Sequence, residues 1–149
     1  MNRITQFLAV FLLAALLGAC ASAPGQKFAG VGKPATDQAD IYLYRGDALF
    51  AVGQAFSVEV NGVQTGELFN ASYLKLQLPP GEHTLTVSPG PLTKSTSKTI
   101  RVQGGQVGFY EYSFVNGPLA NVFFLGAEIE PREEGRALAD LKSLRAARM

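Results

Sequence analysis

The stretch from Tyr73 to Val87 constrains the fold of this chain more than any other. Leu74, Leu76 and Leu78 alternate with more polar residues, and Leu85 and Val87 resume the alternation after Pro80-Gly81. A period of two with one apolar face is typical of half-buried antiparallel strands. Proline presets φ and glycine accepts positive φ, so this pair predicts a type II turn. The stretch is therefore predicted to be a β-hairpin.

Further strand patterns lie on both sides of this stretch. The predicted strands are Asp40–Arg45, Phe56–Val60, Val63–Leu68, Thr99–Gln103, Val107–Phe114 and Asn121–Ile129. Asn61-Gly62 is the pair most typical of a type I′ hairpin turn. The 16 glycines and 8 prolines indicate many turns. We therefore predict an all-β domain over 40–130, an antiparallel Ig-like or transthyretin-like sandwich of about 7–8 strands.

The C-terminal region has a helical pattern. Pro131 suits the first helical position, and Leu138, Leu141 and Leu144 form a narrow apolar stripe. We predict a short amphipathic helix over 131–149, about four turns long, packed on or beside the sandwich.

Residues 1–19 are predicted to be a signal peptide. Arg3 precedes an apolar run from Phe7 to Leu17, which is too short to span a bilayer. The following Leu17-Gly18-Ala19-Cys20 resembles the bacterial lipobox, in which the cysteine is lipidated and becomes the mature N-terminus. Cys20 is therefore the predicted lipidation site and the link to the lipid bilayer. The alternatives are an ordinary secretory signal with a chance cysteine, or an uncleaved anchor.

Residues 20–39 have the composition of a tether. Alanine, serine, proline, glycine and glutamine dominate without periodicity, which is typical of flexible linkers. Ala21, where an acidic residue would favour retention in the inner membrane, points to the outer membrane and a domain that faces the periplasm.

The composition argues against several function classes. The formal net charge is +1, and loss of Arg3 with the signal peptide leaves equal numbers of acidic and basic side chains, which gives no electrostatic case for nucleic acid. One cysteine excludes an internal disulfide, and one histidine excludes a multi-histidine metal site. No nucleophile or nucleotide-binding motif occurs. We therefore expect no catalytic residue, no cofactor, no metal and no enzymatic activity.

Individual polar residues admit two interpretations. His83 is either a proton carrier or ligand, or a structural group that satisfies turn carbonyls. Arg45 either binds an anion or pairs with a carboxylate or loop carbonyls at the rim of the sandwich. Glu111 and Glu128 are expected to be single outward carboxylates with no assignable partner. For His83 and Arg45 the structural interpretation is favoured.

Aromatic and apolar clusters are further candidates for binding, although core packing is the favoured interpretation of both. Aromatic residues on the strands form either core or a stacking platform for sugar rings: Tyr42, Tyr44, Tyr110, Tyr112 and Phe114. Two loop regions are unexpectedly apolar and are the candidate interaction patch: Leu49, Phe50, Val52, Leu119, Phe123 and Phe124. Loops normally run over the surface, so these side chains are expected in the mouth of the core, under the helix or in a partner.

Several motifs together carry a family resemblance. They include Val60-Asn61-Gly62, Gly66-Glu67-Leu68 and Leu78-Pro79-Pro80-Gly81-Glu82-His83. The chain resembles a family of uncharacterised bacterial lipoproteins with a single small β-sandwich, and the Pro-Gly-x-His segment is similar to PEGA-type modules. The resemblance implies a fold and no activity. We expect a membrane-anchored envelope lipoprotein that binds another envelope protein; the alternative is a small-molecule or glycan carrier.

Overall fold

The protein folds into two packed β-sheets with a short helix outside one of them. The structure, a computed structural model, describes residues 23–49, 51–90, 94–116 and 124–149, with the backbone alone at 116, 124 and 125. Its strands are β1 (Ala39–Arg45), β2 (Phe56–Val60), β3 (Val63–Leu68), β4 (Ser72–Leu78), β5 (Gly81–Ser88), β6 (Thr96–Val102), β7 (Val107–Asn116), β8 (Phe124–Pro131) and β9 (Arg145–Ala146), and its described helix is α1 (Glu134–Leu141). Sheet A has the order β8-β7-β1-β4-β9 and sheet B the order β3-β2-β5-β6. The predicted β-sandwich with a short C-terminal helix is confirmed.

Strand β1 lies at the centre of sheet A and is covered on both faces. It pairs antiparallel with β4 and parallel with β7. Ile41 and Leu43 belong to the core between the sheets, and Tyr42 and Tyr44 to a second cluster on the outer face. All seven residues of β1 are consequently buried.

The main core lies between the two sheets, where inward side chains from both interdigitate. Its large members include Phe56, Leu68, Leu74, Leu76, Leu85, Val87 and Tyr112. The alternation predicted from Leu74 to Val87 is confirmed, because Leu74, Leu76, Leu78, His83, Leu85 and Val87 are all buried.

The predicted hairpin between β4 and β5 is wrong, although both strands exist. Strand β4 pairs with β1 in sheet A, and β5 pairs with β2 and β6 in sheet B. Pro79-Pro80 therefore crosses from one sheet to the other. An alternating pattern shows that one face of a strand is buried, but it does not identify the neighbouring strand, so a hairpin and an arch between sheets look alike in sequence.

The pairing in sheet A is mixed rather than antiparallel throughout. The pairs β1–β7 and β4–β9 are parallel. The Asn61-Gly62 hairpin is confirmed, since β2 and β3 pair through Val60 and Val63 and both turn residues have positive φ, 53° and 79°.

The C-terminal helix is shorter than predicted. Helix α1 covers Glu134–Leu141, with Glu133 as its N-cap, because Pro131 still belongs to β8. The chain then turns, and β9 joins sheet A beside Ser72 and Tyr73. The amides of residues 145–147 donate there to Ala71 O, Gln26 O and Tyr73 O, and these bonds replace the intrahelical bonds that a longer helix would have made.

The segment predicted as a flexible tether packs on the domain from residue 23 onwards. The amide of Gly25 donates to Ala146 O and the amide of Ala146 donates to Gln26 O, at 3.0 Å and 2.8 Å. The Phe28 ring contacts Tyr42 and Tyr73 edge-on. Composition did not reveal this order, because it depends on partners near the opposite end of the chain. The predicted signal peptide and Cys20 lie outside the described residues.

No helix among the described residues is long and apolar enough to cross a bilayer.

Candidate functional site

The predicted interaction patch is described only in part. Leu49 is fully exposed and Val52 is 42% exposed, so neither is in the mouth of the core or under the helix. Phe50, Leu119 and Phe123 lie outside the described residues, as does the side chain of Phe124. Strands β1 and β7 run parallel and therefore finish at the same end of sheet A. The patch as a whole stays a prediction.

Arg45 fixes the loop that carries Leu49 and Val52. Its guanidinium donates to Ala51 O at 2.9 Å and to Gln54 O at 3.2 Å, and it lies 4.3 Å from the Phe56 ring centroid. Burial lowers the pKa of Arg45 from its ordinary value. Arg45 thus donates hydrogen bonds to loop carbonyls, as the structural interpretation of the sequence predicted.

A second set of hydrogen bonds holds the start of the same loop. The amide of Ala48 donates to Asn70 Oδ1 at 3.1 Å, and Asn70 Nδ2 donates to Asp47 Oδ1 at 2.7 Å. Gln54 Nε2 donates to Pro89 O at the other end of the loop. Leu49 is therefore presented by a loop that is tied down on both sides.

His83 is buried and has a partner on each ring nitrogen. Nε2 lies 2.8 Å from Pro79 O and must donate to it, and Nδ1 lies 3.1 Å from Asn61 Nδ2 and accepts from it. In this arrangement Nε2 is the donor and Nδ1 the acceptor. The structural interpretation of His83 agrees with these contacts, which leave neither nitrogen directed at solvent.

The strand aromatics are divided between the two clusters. Tyr110, Tyr112 and Phe114 belong to or pack against the main core, and Tyr42 and Tyr44 lie under α1 and the N-terminal segment. These rings therefore form core on both faces of sheet A rather than an open platform. Burial raises the pKa of the Tyr42, Tyr110 and Tyr112 hydroxyls.

Glu111 has a partner, contrary to the prediction. Arg132 Nε donates to Glu111 Oε2 at 2.6 Å and Arg132 Nη1 to Glu130 Oε2 at 2.9 Å. Nearby, Tyr44 OH donates to Asp140 Oδ2 at 3.1 Å. Burial is the largest cause that raises the pKa of Tyr44, and Glu111 and Asp140 raise it further. These bonds link α1 to β1 through Asp140 and Tyr44, and the end of β8 to β7 through Arg132 and Glu111. The Arg132–Glu111 pair was missed because it forms only through the β7–β8 pairing.

A groove runs along the side of the sandwich where β4 borders β3. We call it the β4 groove. It consists of two adjoining clefts of about 430 and 420 Å³ that share Lys75 and Met149. The inner cleft is lined by Val60, Thr65, Leu76, Gln77 and Leu78, and the outer cleft includes Lys27, Tyr42 and Tyr73.

The C-terminal tail forms one end of the β4 groove. The amide of Ala147 donates to Tyr73 O at 2.8 Å, and the amide of Glu67 donates to Arg148 O at 2.9 Å. The tail thus crosses from β4 to β3 and leaves the remainder of the β4 edge uncovered.

Lys75 and Asp40 dominate the electrostatics beside the groove. Lys75 Nζ lies 2.8 Å from Asp40 Oδ2, and Gln77 Nε2 donates to Asp40 Oδ1 at 3.3 Å. The hydrogen bond to Asp40 raises the pKa of Lys75. Asp40 is buried and Lys75 is 38% exposed in its side chain, so the groove presents the cation rather than the carboxylate. Sequence reasoning missed this groove, because it exists only where β9 stops short of covering β4.

Among the described residues no three His, Cys, Asp or Glu side chains are grouped as metal ligands. The polar side chains of the clusters described above contact one another or backbone groups of the domain.

Comparison with known proteins gives a family and no activity. The model of DUF2846, described as a protein of unknown function, matches residues 35–127. No curated protein and no solved structure matches the chain.

Proposed function

The chain belongs to DUF2846, a family of proteins of unknown function, and we propose that it is a lipid-anchored, non-enzymatic module that binds another protein of the bacterial cell envelope. The similarity of its Pro80–His83 segment to PEGA-type modules is part of the same proposal.

The main observation behind the proposal is that Leu49 is fully exposed on a loop that hydrogen bonds hold on both sides. A large apolar side chain left in water forgoes about 1.5–3 kcal/mol of burial free energy. The loop around it is held by Arg45, Asn70 and Gln54, so binding there would order little additional chain. Contiguous exposed apolar patches mark protein-binding sites, and Leu49 and Val52 are the described, exposed members of the predicted patch.

The partner proposal is tested by crosslinking in intact envelopes. We expect Leu49→Ser to reduce the recovery of crosslinked partner while the isolated domain melts as before. Val63→Ser is the matched control, because Val63 is also an exposed apolar residue but lies at the β2–β3 turn. Equal recovery from both variants and the wild type would remove the main support for the proposal.

Membrane attachment is proposed through Cys20, with the domain facing the periplasm from the outer membrane. The support is the lipobox-like Leu17-Gly18-Ala19-Cys20 behind a short apolar run. Mass spectrometry of the mature N-terminus should find a diacylglycerol-modified cysteine, and Cys20→Ser should move the domain out of the membrane fraction or stall its processing. An unmodified cysteine, or cleavage elsewhere, contradicts the proposal.

A small-molecule or glycan carrier is the second candidate. It is favoured by the outer cleft of the β4 groove, where Tyr42 and Tyr73 lie near Lys27 and Lys75. Calorimetric titration with soluble envelope oligosaccharides tests it, with Tyr73→Ala as the variant expected to lose binding. The Tyr42 ring is already covered, which leaves little aromatic surface for stacking and places this candidate second.

A further inference from the structure

Among the described residues, strand β4 is fully paired on one side and only partly paired on the other. On one side, β4 pairs with β1 along its whole length, from Ser72 to Leu78. On the other side, β9 pairs only with Ser72 and Tyr73. Within the part of the chain that the structure describes, no strand pairs with this side of β4 from Lys75 to Leu78.

The direction of the backbone groups on this edge follows from the tail. Ala71 O accepts from the Arg145 amide and Tyr73 O accepts from the Ala147 amide, so both carbonyls point away from β1. Residues two apart in a strand direct their backbone groups to the same side. The N–H and C=O groups of Lys75 and Gln77 therefore point away from β1 as well, into the β4 groove.

The other sheet edges carry features that discourage pairing. Strand β8 contains Gly126 at φ 148° and faces a register irregularity at Val115/Asn116. The β3 edge is occupied at Glu67 by the C-terminal tail, and β6 exposes Arg101. Bulges, covering segments and charged edges are common means of blocking strand addition. By contrast, β4 pairs with β1 in unbroken register and its free edge is flanked by clefts.

The walls of the groove discriminate between side chains. A strand beside Lys75–Leu78 would alternate its side chains between the two clefts. The inner cleft offers Val60, Leu76 and Leu78. The outer cleft is lined by Lys27 and by Lys75, whose ammonium group contacts Asp40 and whose side chain is 38% exposed. Apolar side chains of the added strand therefore suit the inner cleft, and acidic side chains suit the outer cleft.

We propose that the β4 groove binds an extended segment of a partner protein by β-strand addition, in line with β9, and that this segment alternates apolar and acidic residues. The inference rests on the proposed function and gives it a site and a partner chemistry. The chain's own tail already forms strand pairs with this edge, so a partner strand would continue an existing interface.

The first experiment tests the open edge itself by hydrogen exchange of the full domain. The amides of Lys75 and Gln77 should exchange faster than those of Leu74 and Leu76, whose backbone groups face β1. Equal protection of all four amides would contradict the geometry on which the inference depends.

The second experiment uses a short synthetic peptide that alternates valine and glutamate. Gln77→Pro removes the outward N–H without removing a bond to β1, and Gln77→Ala keeps that N–H as the matched control. We expect Gln77→Pro to weaken peptide binding about tenfold, as loss of one or two backbone hydrogen bonds would, and Gln77→Ala to bind as the wild type. If Gln77→Pro does not fold, the same peptide N-methylated at alternate amides supplies the test with wild-type protein.

The outcomes separate the inference from the proposed function. Equal binding of the peptide to all variants, or no binding to any, overturns strand addition even if Leu49→Ser still abolishes the envelope crosslink. A domain dimer that protects the Lys75 and Gln77 amides also overturns it, by making a second copy the occupant. Peptide binding that is lost in Gln77→Pro supports it even if the envelope crosslink at Leu49 fails.

Discussion

At the scale of single residues, this domain uses polar side chains to hold its connections. Asn61 Oδ1 accepts from the Thr84 amide at 2.9 Å, and its Nδ2 donates to His83, whose other nitrogen donates to Pro79 O. The side chains thus tie the β2–β3 turn to β5 and to the arch before it. Arg45 does the same for the loop at the opposite end of the sandwich. These contacts account for the burial of His83 and of Arg45 within the domain.

Gly81 provides the first prediction. Its φ is 141° and a Cβ placed there meets nothing within 4 Å, so the effect of a side chain would be backbone strain alone. This φ also differs from that of the expected type II turn, because the residue begins β5 after the crossing between sheets. Gly81→Ala should lower the free energy of unfolding by about 1–2 kcal/mol in urea titration.

Gly53→Ala serves as the control for Gly81→Ala. Gly53 also has open space around its Cβ position, but it lacks the positive φ. Equal stability changes in the two variants would show that the backbone at Gly81 is not strained by a side chain.

Asn61 provides the second prediction. Its φ is 53°, which glycine adopts readily, so Asn61→Gly removes the side-chain hydrogen bonds without adding strain. Loss of the bonds to Thr84 and His83 should lower stability by about 1–3 kcal/mol. A double-mutant cycle with His83→Ala isolates the Asn61–His83 coupling, and additive effects would contradict a direct bond between them.

At the scale of elements, α1 and β9 act together to close the outer face of sheet A. Ala137, Leu141 and Leu144 are buried against Tyr42, Tyr44 and Phe109. Leu138, which the sequence placed on the same stripe, is only partly buried. The helix ends early because Leu144 reaches its packing site from the turn that leads into β9.

The helix packing provides the third prediction. Leu141→Ala should lower the free energy of unfolding by about 2–5 kcal/mol, because it opens a cavity under α1. Leu138→Ala, on the same helix but partly exposed, should have a clearly smaller effect in the same denaturant titration. A similar loss from both variants would mean that α1 packs differently from the structure.

At the scale of the whole molecule, three layers enclose two apolar clusters with sheet A between them. Both clusters are rich in tyrosine, and burial is the leading cause that raises the pKa of all five tyrosines. Each folded-state pKa therefore lies above the ordinary value of 10.0. The neutral phenols favour the folded protein below that pH, and this contribution declines as the pH rises towards the folded-state values.

The fourth prediction follows for alkaline pH. Stability should be independent of the tyrosines up to about pH 10 and should fall above it. Tyrosinate absorbance and circular dichroism, followed in one titration, should change together as the phenols ionise on unfolding. The chain unfolded in urea, where tyrosines titrate normally, is the reference. Ionisation of the phenols near pH 10 with unchanged dichroism would contradict the prediction.

Local patterns in the sequence predicted strands β1 to β8, although they placed the residues of β9 in a helix. They also predicted which side of β4 and of β5 is buried. The alternation from Leu74 to Val87 and the Asn61-Gly62 turn were correct because each depends on neighbouring residues alone. The same local character explains why the contacts of His83 and Arg45 with carbonyls of the neighbouring turn and loop were predicted correctly. The family match confirms an uncharacterised domain and adds no chemistry.

Only the tertiary structure decided which strands are neighbours. Whether Pro79-Pro80 makes a hairpin or an arch depends on two strands earlier in the chain. Strand β4 pairs with β1 in sheet A, and β5 pairs with β2 in sheet B. The end of α1, the packing of residues 25–28 and the Arg132–Glu111 pair likewise need contacts between distant parts of the sequence. The β4 groove is the clearest case, because an unpaired edge is a consequence of where β9 stops and leaves no pattern in β4 itself.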